Sequence, residues 1–89
     1  MRAIITVVGK DQVGIIAAVC NRLAQYNVNV LDISQTVLQG FFTMMMVVEV
    51  ASCNVPLVDF IEEMQAMGAS SGLSIRVQRE DIFEAMHHV

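Results

Sequence analysis

The fold is decided by one stretch of sequence, Val7-Val8-Gly9-Lys10-Asp11-Gln12-Val13-Gly14-Ile15-Ile16. An apolar run ends at Gly9 and a helical apolar pattern begins at Val13, so the residues between them predict a tight loop from a strand into a helix. We expect Gly9 to adopt a backbone conformation closed to other residues. We expect Gly14 to let a ligand or another chain approach the first helical turn.

This loop carries the first functional hypothesis. The first N–H groups of a helix have no partner within the helix and favour an anion, such as the carboxylate of a small molecule. The other interpretation is that the two glycines only make the turn and let the helix pack on the sheet. A pair of glycines does not distinguish the two.

Composition limits the class of protein. The chain has 89 residues, enough for one domain with a small core, and 55% of them are hydrophobic, with a mean hydropathy of +0.58. This apolar excess predicts a second buried surface, most simply between copies in a homodimer or higher homo-oligomer. No apolar run reaches the ~20 residues that span a bilayer. The N-terminal residues do not resemble a signal peptide, so the expected location is cytoplasmic.

Charge and residue types exclude several functions. The net charge is −4 with only five basic residues, which argues against nucleic acid as a partner. Cys20 and Cys53 lack the spacing of a metal or redox motif and are expected to be reduced thiols. His87 and His88 are adjacent and would diverge around a helix. No nucleophile has an identifiable base, so we expect neither an enzyme nor a metal or cofactor site.

Hydrophobic periodicity predicts four strands and two helices. The strands are expected at 2–8, 29–38, 41–50 and 73–78, and the helices at 13–26 and from 57 to Gly68 or Gly72. The order strand, helix, strand, strand, helix, strand is that of an α+β, ferredoxin-like βαββαβ sandwich. In this fold two helices cover one face of an antiparallel four-stranded sheet. We assign residues 1–79 to this domain and residues 80–89 to a short helical tail.

Some side-chain positions are also predicted. The core-facing stripe of the first helix is expected to comprise Val13, Ile16, Ala17, Cys20, Leu23 and Ala24. Asn54 is expected to cap the second helix, with Pro56 in its first turn. The successive methionines Met44, Met45 and Met46 are expected to pack against helices on one face of the third strand and against a partner on the other.

Two segments resemble a known family. They are Gly9-Lys10-Asp11-Gln12-Val13-Gly14-Ile15-Ile16-Ala17 and Asn27-Val28-Asn29-Val30-Leu31-Asp32-Ile33-Ser34-Gln35. Together they resemble the ACT domain, in which a "G-x-D-x-x-G-I" loop opens the first helix and an "N-x-N-I/V" segment enters the second strand. The resemblance covers the whole chain. Its last residues are similar to the tail of short free-standing bacterial and archaeal ACT proteins, which are in turn similar to the regulator of glycine cleavage genes.

The resemblance implies a regulatory module that binds a small molecule, commonly an amino acid, at an interface between two copies and modulates a partner enzyme or regulator. The implied ligand-binding residues are Lys10, Asp11, Gln12, Val13, Gly14, Ile15, Asn29, Val30 and Leu31. The amides near Gly14 would hold a carboxylate and Asp11 an α-ammonium group. Asn29, Val30 and Leu31 would close the site from the same chain or from a second subunit.

Three other functions remain in view. The strongest is a dimerisation or protein-interaction module with no small ligand, which many ACT-like domains are. A catalytic phosphatase of the same fold would need an arginine in a glycine-rich loop. An RNA-recognition module has the same strand order, and Gly40-Phe41-Phe42 resembles its aromatic platform. The acidic pI argues against RNA.

Overall fold

The computed structural model of the protein describes residues 1–10 and 14–82. Six elements follow one another along the chain: β1 (Arg2–Lys10), α1 (Ile15–Gln25), β2 (Asn29–Leu38), β3 (Phe41–Glu49), α2 (Leu57–Ser71) and β4 (Ser74–Arg79). The strands form one antiparallel sheet in the order β2-β3-β1-β4. The predicted ferredoxin-like βαββαβ fold is confirmed.

The register of the sheet fixes its two ends. β1 and β3 pair over their whole length, from Arg2 opposite Glu49 to Lys10 opposite Phe41. β4 lies along the other side of β1, while β2 forms the free edge beside β3. The pairing of β2 is interrupted by an irregularity between Val30 and Asp32, where one extra residue enters the strand. Such bulges change which way the neighbouring side chains point.

The core lies between the sheet and the helices. Alternate residues of the two central strands are fully buried there, and they meet apolar side chains of both helices. The fully buried members are Ala3, Ile5, Val7, Val19, Met44, Met46, Val48, Phe60 and Met64. The prediction that methionines of β3 pack against the helices is confirmed for Met44 and Met46. Met45 is 37% exposed on the opposite side, where contact with a partner stays a prediction.

Of the predicted core stripe of α1, Leu23 is confirmed as buried, but the positions of Ile16, Ala17 and Ala24 were wrong. Ile15, Val19 and Leu23 are the buried residues of this helix, whereas Ile16 is 36% exposed and Ala17 and Ala24 are exposed. The helix is apolar around most of its circumference, so spacings of three and four fit two adjacent stripes about 100° apart. Tertiary contact with the sheet selects one of them. Position 13 lies outside the described residues.

The second helix begins without the cap predicted from the sequence, and it ends at one of the two predicted glycines. Asn54 does not cap α2, whose N-cap is Pro56 with no side-chain hydrogen bond. Instead Asn54 Nδ2 donates to the Gln25 carbonyl oxygen at the end of α1, at 2.9 Å. At its other end α2 continues through Gly68 and ends at Gly72, which has a φ of +73°. This resolves the choice left open between the two glycines.

The structure also bears on the predictions about the cysteines, metal sites, membrane helices and the tail. Cys20 and Cys53 are free thiols, each half-buried. Within residues 1–10 and 14–82, no cluster of three or more metal-ligating side chains occurs, and no helix is long and apolar enough to cross a membrane. Residues 80–82 leave the strand in a helical turn. The rest of the predicted tail helix lies outside the described residues.

Candidate functional site

The special backbone conformation predicted for Gly9 is wrong. Gly9 is buried, and a Cβ placed on it would lie 2.4 Å from Leu73 Cδ2 and 3.7 Å from Ile15 Cδ1. Its backbone is not in the left-handed region. Gly9 is therefore needed because of close packing, which allows the end of β1 to lie against the start of β4.

Gly14 is the residue that needs the special backbone conformation. It is the N-cap of α1 with a φ of +92°, a region that favours glycine. No atom of the described structure lies within 4 Å of a Cβ placed there, and the residue is exposed. The helix begins with Ala18 N–H donating to the Gly14 carbonyl at 2.9 Å, and no side chain caps it. The first N–H groups of α1 therefore have no side-chain cap among the described residues.

The neighbouring site residues differ in exposure. Lys10 is exposed and forms no ion pair with the part of the chain that the structure describes. Ile15 is buried and belongs to the core, so it supports the loop and does not offer its side chain to a ligand. Residues 11–13, which include the proposed ammonium acceptor Asp11 together with Gln12 and Val13, lie outside the described residues.

The β2–β3 hairpin lies at the same end of the sheet as this loop. Gln39 and Gly40 form its turn with φ values of +51° and +82°. Phe41, which pairs with Lys10, is half exposed. The side chains of Phe41 and Lys10 are therefore neighbours on adjacent strands at the end of the sheet where α1 starts. We call this region, with Lys10, Gly14 and the Gln39-Gly40 turn, the loop end.

Asn29, Val30 and Leu31 lie at the other end of the sheet. Asn29 pairs with Glu49 of β3, which also pairs with Arg2 at the start of β1. Lys10 is eight residues along β1 from Arg2, a separation of about 27 Å at strand spacing. Within one chain, the structure does not bring the two groups of predicted site residues together.

The end that holds Asn29 is tied by hydrogen bonds between loops. Asn27 Nδ2 donates to the Ser52 carbonyl at 3.0 Å, and Asn54 N–H donates to the Tyr26 carbonyl at 3.1 Å. The Met1 ammonium donates to Glu49 Oε2 at 2.6 Å, and this bond holds the pKa of the Glu49 carboxyl below its ordinary value. Hydrogen bonds consequently hold the loops at this end of the sheet together.

A shallow hollow that the sequence did not predict lies on the sheet face opposite the helices. It has a volume of about 210 Å³, and Ile4, Met45 and Val47 supply its apolar surface. Asp32 and Ser34 of β2 stand at its edge. The sequence did contain the signal, since Asp32 and Ser34 form the polar face of β2 and Met45 lies between two core methionines. Their meeting around one hollow depends on strand register.

Comparison with known proteins supports the same family. The model of the ACT domain matches residues 2–78. A UPF0237 protein of Bifidobacterium longum is 51% identical over 88 residues, covering 99% of this chain and 98% of that protein.

Solved structures agree in fold. An ACT domain protein from Streptococcus pneumoniae superposes with a TM-score of 0.82 at 44% identity, covering 94% of each chain. A putative glycine cleavage system transcriptional repressor superposes with a TM-score of 0.72 at 24% identity, covering 88% of this chain and 44% of that one. At that identity the second match shows the fold alone.

The family match over most of the chain, together with the βαββαβ sheet and the glycine-bounded loop at the start of α1, leads to one conclusion. This chain belongs to the ACT domain family, whose members are typically regulatory, ligand-binding modules.

Proposed function

We propose that this protein is a homodimeric sensor that binds an amino acid between two copies and modulates a partner enzyme or regulator in the cytoplasm. The observation that carries the proposal is the separation of the predicted site residues. Lys10 and Gly14 lie at one end of the sheet and Asn29 at the other. A second copy that pairs with the free edge of β2 removes this separation.

The geometry follows from antiparallel pairing. A two-fold axis beside β2 places each copy's β2 against the other in the opposite direction. The partner's Asn29 then enters next to Leu38, and Leu38 is in register with Phe41 and Lys10 through β3. Each of the two equivalent sites therefore combines the loop end of one copy with residues 29–31 of the other.

The free edge of β2 has the properties of a pairing surface. β2 has ten residues, and its apolar side chains Leu31, Ile33 and Val37 are 48%, 37% and 64% exposed. A long apolar edge strand is a template for another strand unless it is covered or charged. The opposite edge, β4, has only six residues and includes Arg76 and Arg79. Pairing through β2 is therefore favoured over pairing through β4.

The ligand chemistry follows from the loop end. The unpaired N–H groups of the first turn of α1 and the Lys10 ammonium favour a carboxylate. Asp11, by resemblance to the family, would accept hydrogen bonds from an α-ammonium group. An α-amino acid supplies both groups on adjacent atoms, and Gly14 leaves open space for it.

The first experiment is a thermal-shift screen against the twenty amino acids and simple carboxylates. A ligand at a hundredfold excess over its Kd adds about 2.7 kcal/mol to the free energy of unfolding. We expect a selective shift that is lost in Lys10→Ala and kept in the control Arg22→Ala, which removes a charge from α1 away from the loop. If no amino acid gives a shift, the protein is better described as a ligand-free dimerisation module.

A second experiment tests whether the site needs two copies. Ile33→Lys places a charge on the free edge of β2, and Val58→Lys places the same charge on α2 at a side chain that is 61% exposed. We expect light scattering to give a monomer for the first variant and a dimer for the second. Amino-acid binding should be lost with the dimer. A monomer that binds the amino acid unchanged would place the site within one chain.

A further inference from the structure

The sheet face opposite the helices, which we call the open face, has an ordered distribution of side chains. Residues opposite each other on neighbouring strands share a face, which places the following on it: Ile4, Thr6, Val8, Asp32, Ser34, Thr36, Thr43, Met45, Val47, Ser74, Arg76 and Gln78. Apolar side chains occupy the centre, on β1 and β3. A carboxylate stands on β2 at one margin and a guanidinium on β4 at the other.

Within residues 1–10 and 14–82, neither Asp32 nor Arg76 forms an ion pair. Asp32 Oδ1 accepts a hydrogen bond only from the Ile33 N–H, at 2.9 Å, among the bonds of the described residues. Arg76 forms no ion pair with any residue that the structure describes. By contrast, Arg2 and Arg79 are both paired, with Glu80 and Asp81.

Glu80, the first residue after β4, is tied to this face by an ion pair. Arg2 and Glu80 follow the alternation of open-face residues, and Arg2 Nη2 donates to Glu80 Oε1 at 2.8 Å. This ion pair fixes the start of the last segment two residues along β1 from Ile4. Ile4 is only 8% exposed although no helix of the described residues covers its side of the sheet.

We propose that the open face is the docking site of the chain's own last segment, residues 83–89. The sequence Phe83-Glu84-Ala85-Met86-His87-His88-Val89 has the pattern that the face requires. One acidic residue comes early, between apolar ones, and two imidazoles come late. Glu84 complements the charge of Arg76, Phe83 and Met86 match the apolar centre in chemistry, and an imidazole N–H is a suitable donor for the Asp32 carboxylate.

The dimensions allow this arrangement. From β4 to β2 the face is three strand spacings wide, about 14 Å. The seven residues after Ile82 reach at most about 23 Å when extended and about 10 Å at helical rise. The segment can therefore cross from the Glu80 anchor to Asp32, and the hollow of about 210 Å³ beside Met45 accepts one of its apolar side chains.

A second copy on the open face fits less well. A two-fold axis along the strands would place Asp32 opposite the partner's Gln78 and Arg76 opposite the partner's Ser34, so the two charges would not meet, and this axis passes beneath the middle of the sheet. The axis that pairs two β2 edges stands beside the sheet and does not meet it, so the two contacts together would build an open chain of molecules. A face covered by residues 83–89 keeps the assembly closed as a dimer.

The test uses the full chain with a charge placed in the docking segment. In Phe83→Asp we expect the NMR methyl signals of Ile4 and Met45 to shift, and the fluorescence of an apolar dye to rise several-fold. The matched control, Val58→Asp on α2, should leave both methyl signals unchanged. If Phe83→Asp also leaves them unchanged, the proposal is overturned.

A charge exchange tests the register of docking. Asp32→Arg alone should shift the same methyl signals, and adding His87→Glu with His88→Glu should return them toward the wild-type positions. Failure of the triple variant to restore them would overturn the assignment of the imidazoles to Asp32. A wild-type mass above that of a dimer, reduced to a dimer by Asp32→Arg, would show that a second copy occupies the face and would also overturn the proposal.

Discussion

Gly9 lies directly against Leu73, so that a Cβ on Gly9 would stand 2.4 Å from Leu73 Cδ2. Leu73 is itself 9% exposed and packs in the core beside Ile15. This contact joins the end of β1 to the start of β4, and it makes the size of residue 9 part of the geometry of the loop end.

Gly9→Ala is therefore expected to lower the free energy of unfolding by about 1–3 kcal/mol, as overpacking does in other cores. Urea denaturation measures the loss. The same substitution in a Leu73→Ala background should cost much less, because the methyl group then enters the space that Leu73 vacates. Equal losses in both backgrounds would show that the contact with Leu73 is not the cause.

Gly14 should respond differently, because its constraint is conformational. Gly14 has a φ of +92°, and apart from its chain neighbours no described atom lies within 4 Å of a Cβ placed there, so Gly14→Ala is expected to cost about 1–2 kcal/mol through backbone strain. Asn tolerates positive φ better than Ala does, so Gly14→Asn should cost less despite its larger side chain. A larger loss for Asn than for Ala would mean that space, not conformation, requires glycine here.

Phe60 should be among the most sensitive core positions. It is fully buried, and its ring meets Tyr26 edge to face with 5.6 Å between centroids. Phe60→Ala is expected to cost about 3–5 kcal/mol, a large share of the stability of so small a domain. Val58, two residues earlier on the same helix, is 61% exposed, and Val58→Ala should change the stability by less than about 0.5 kcal/mol.

Asn54 is expected to stabilise the end of α1. Its Nδ2 group donates to the Gln25 carbonyl at 2.9 Å, which satisfies one acceptor at the helix C-terminus. Asn54→Ala should lower the free energy of unfolding by about 1 kcal/mol. Asn21 on the exposed surface of α1 provides the control, and Asn21→Ala should be close to neutral in the same chemical denaturation assay.

The ion pair of Glu49 predicts a dependence on pH. The hydrogen bond from the Met1 ammonium lowers the pKa of the Glu49 carboxyl from its ordinary value of 4.5. A carboxyl with a lowered pKa in the folded state stabilises the fold above its unfolded pKa, and this contribution is lost as the pH falls through the folded value. Glu49→Gln should therefore reduce the difference in stability between pH 6 and pH 3. An unchanged difference would show that the pair contributes nothing, as exposed pairs often do.

The sequence was sufficient for the fold because its main signals are local. Alternation in β1 and β4, the short Gln39-Gly40 turn and the glycines around the first loop each specify a strand, a hairpin or a helix start over a few residues. Most of the α1 stripe was predicted wrongly because the local signal in this helix is ambiguous. A helix with apolar residues on most sides gives no local preference between adjacent stripes, and contact with the sheet decided that Val19 and Leu23 face inward.

By itself, then, the sequence determined the order of elements, the ACT resemblance and the importance of Gly9 and Gly14, since periodicity and turn chemistry are properties of neighbouring residues. Tertiary structure alone decided which glycine serves packing and which serves conformation, because Leu73 is 64 residues away from Gly9 along the chain. It also placed Lys10 and Asn29 at opposite ends of one sheet. Strand register, which depends on pairing between distant segments, sets that distance, and no local pattern in the sequence contains it.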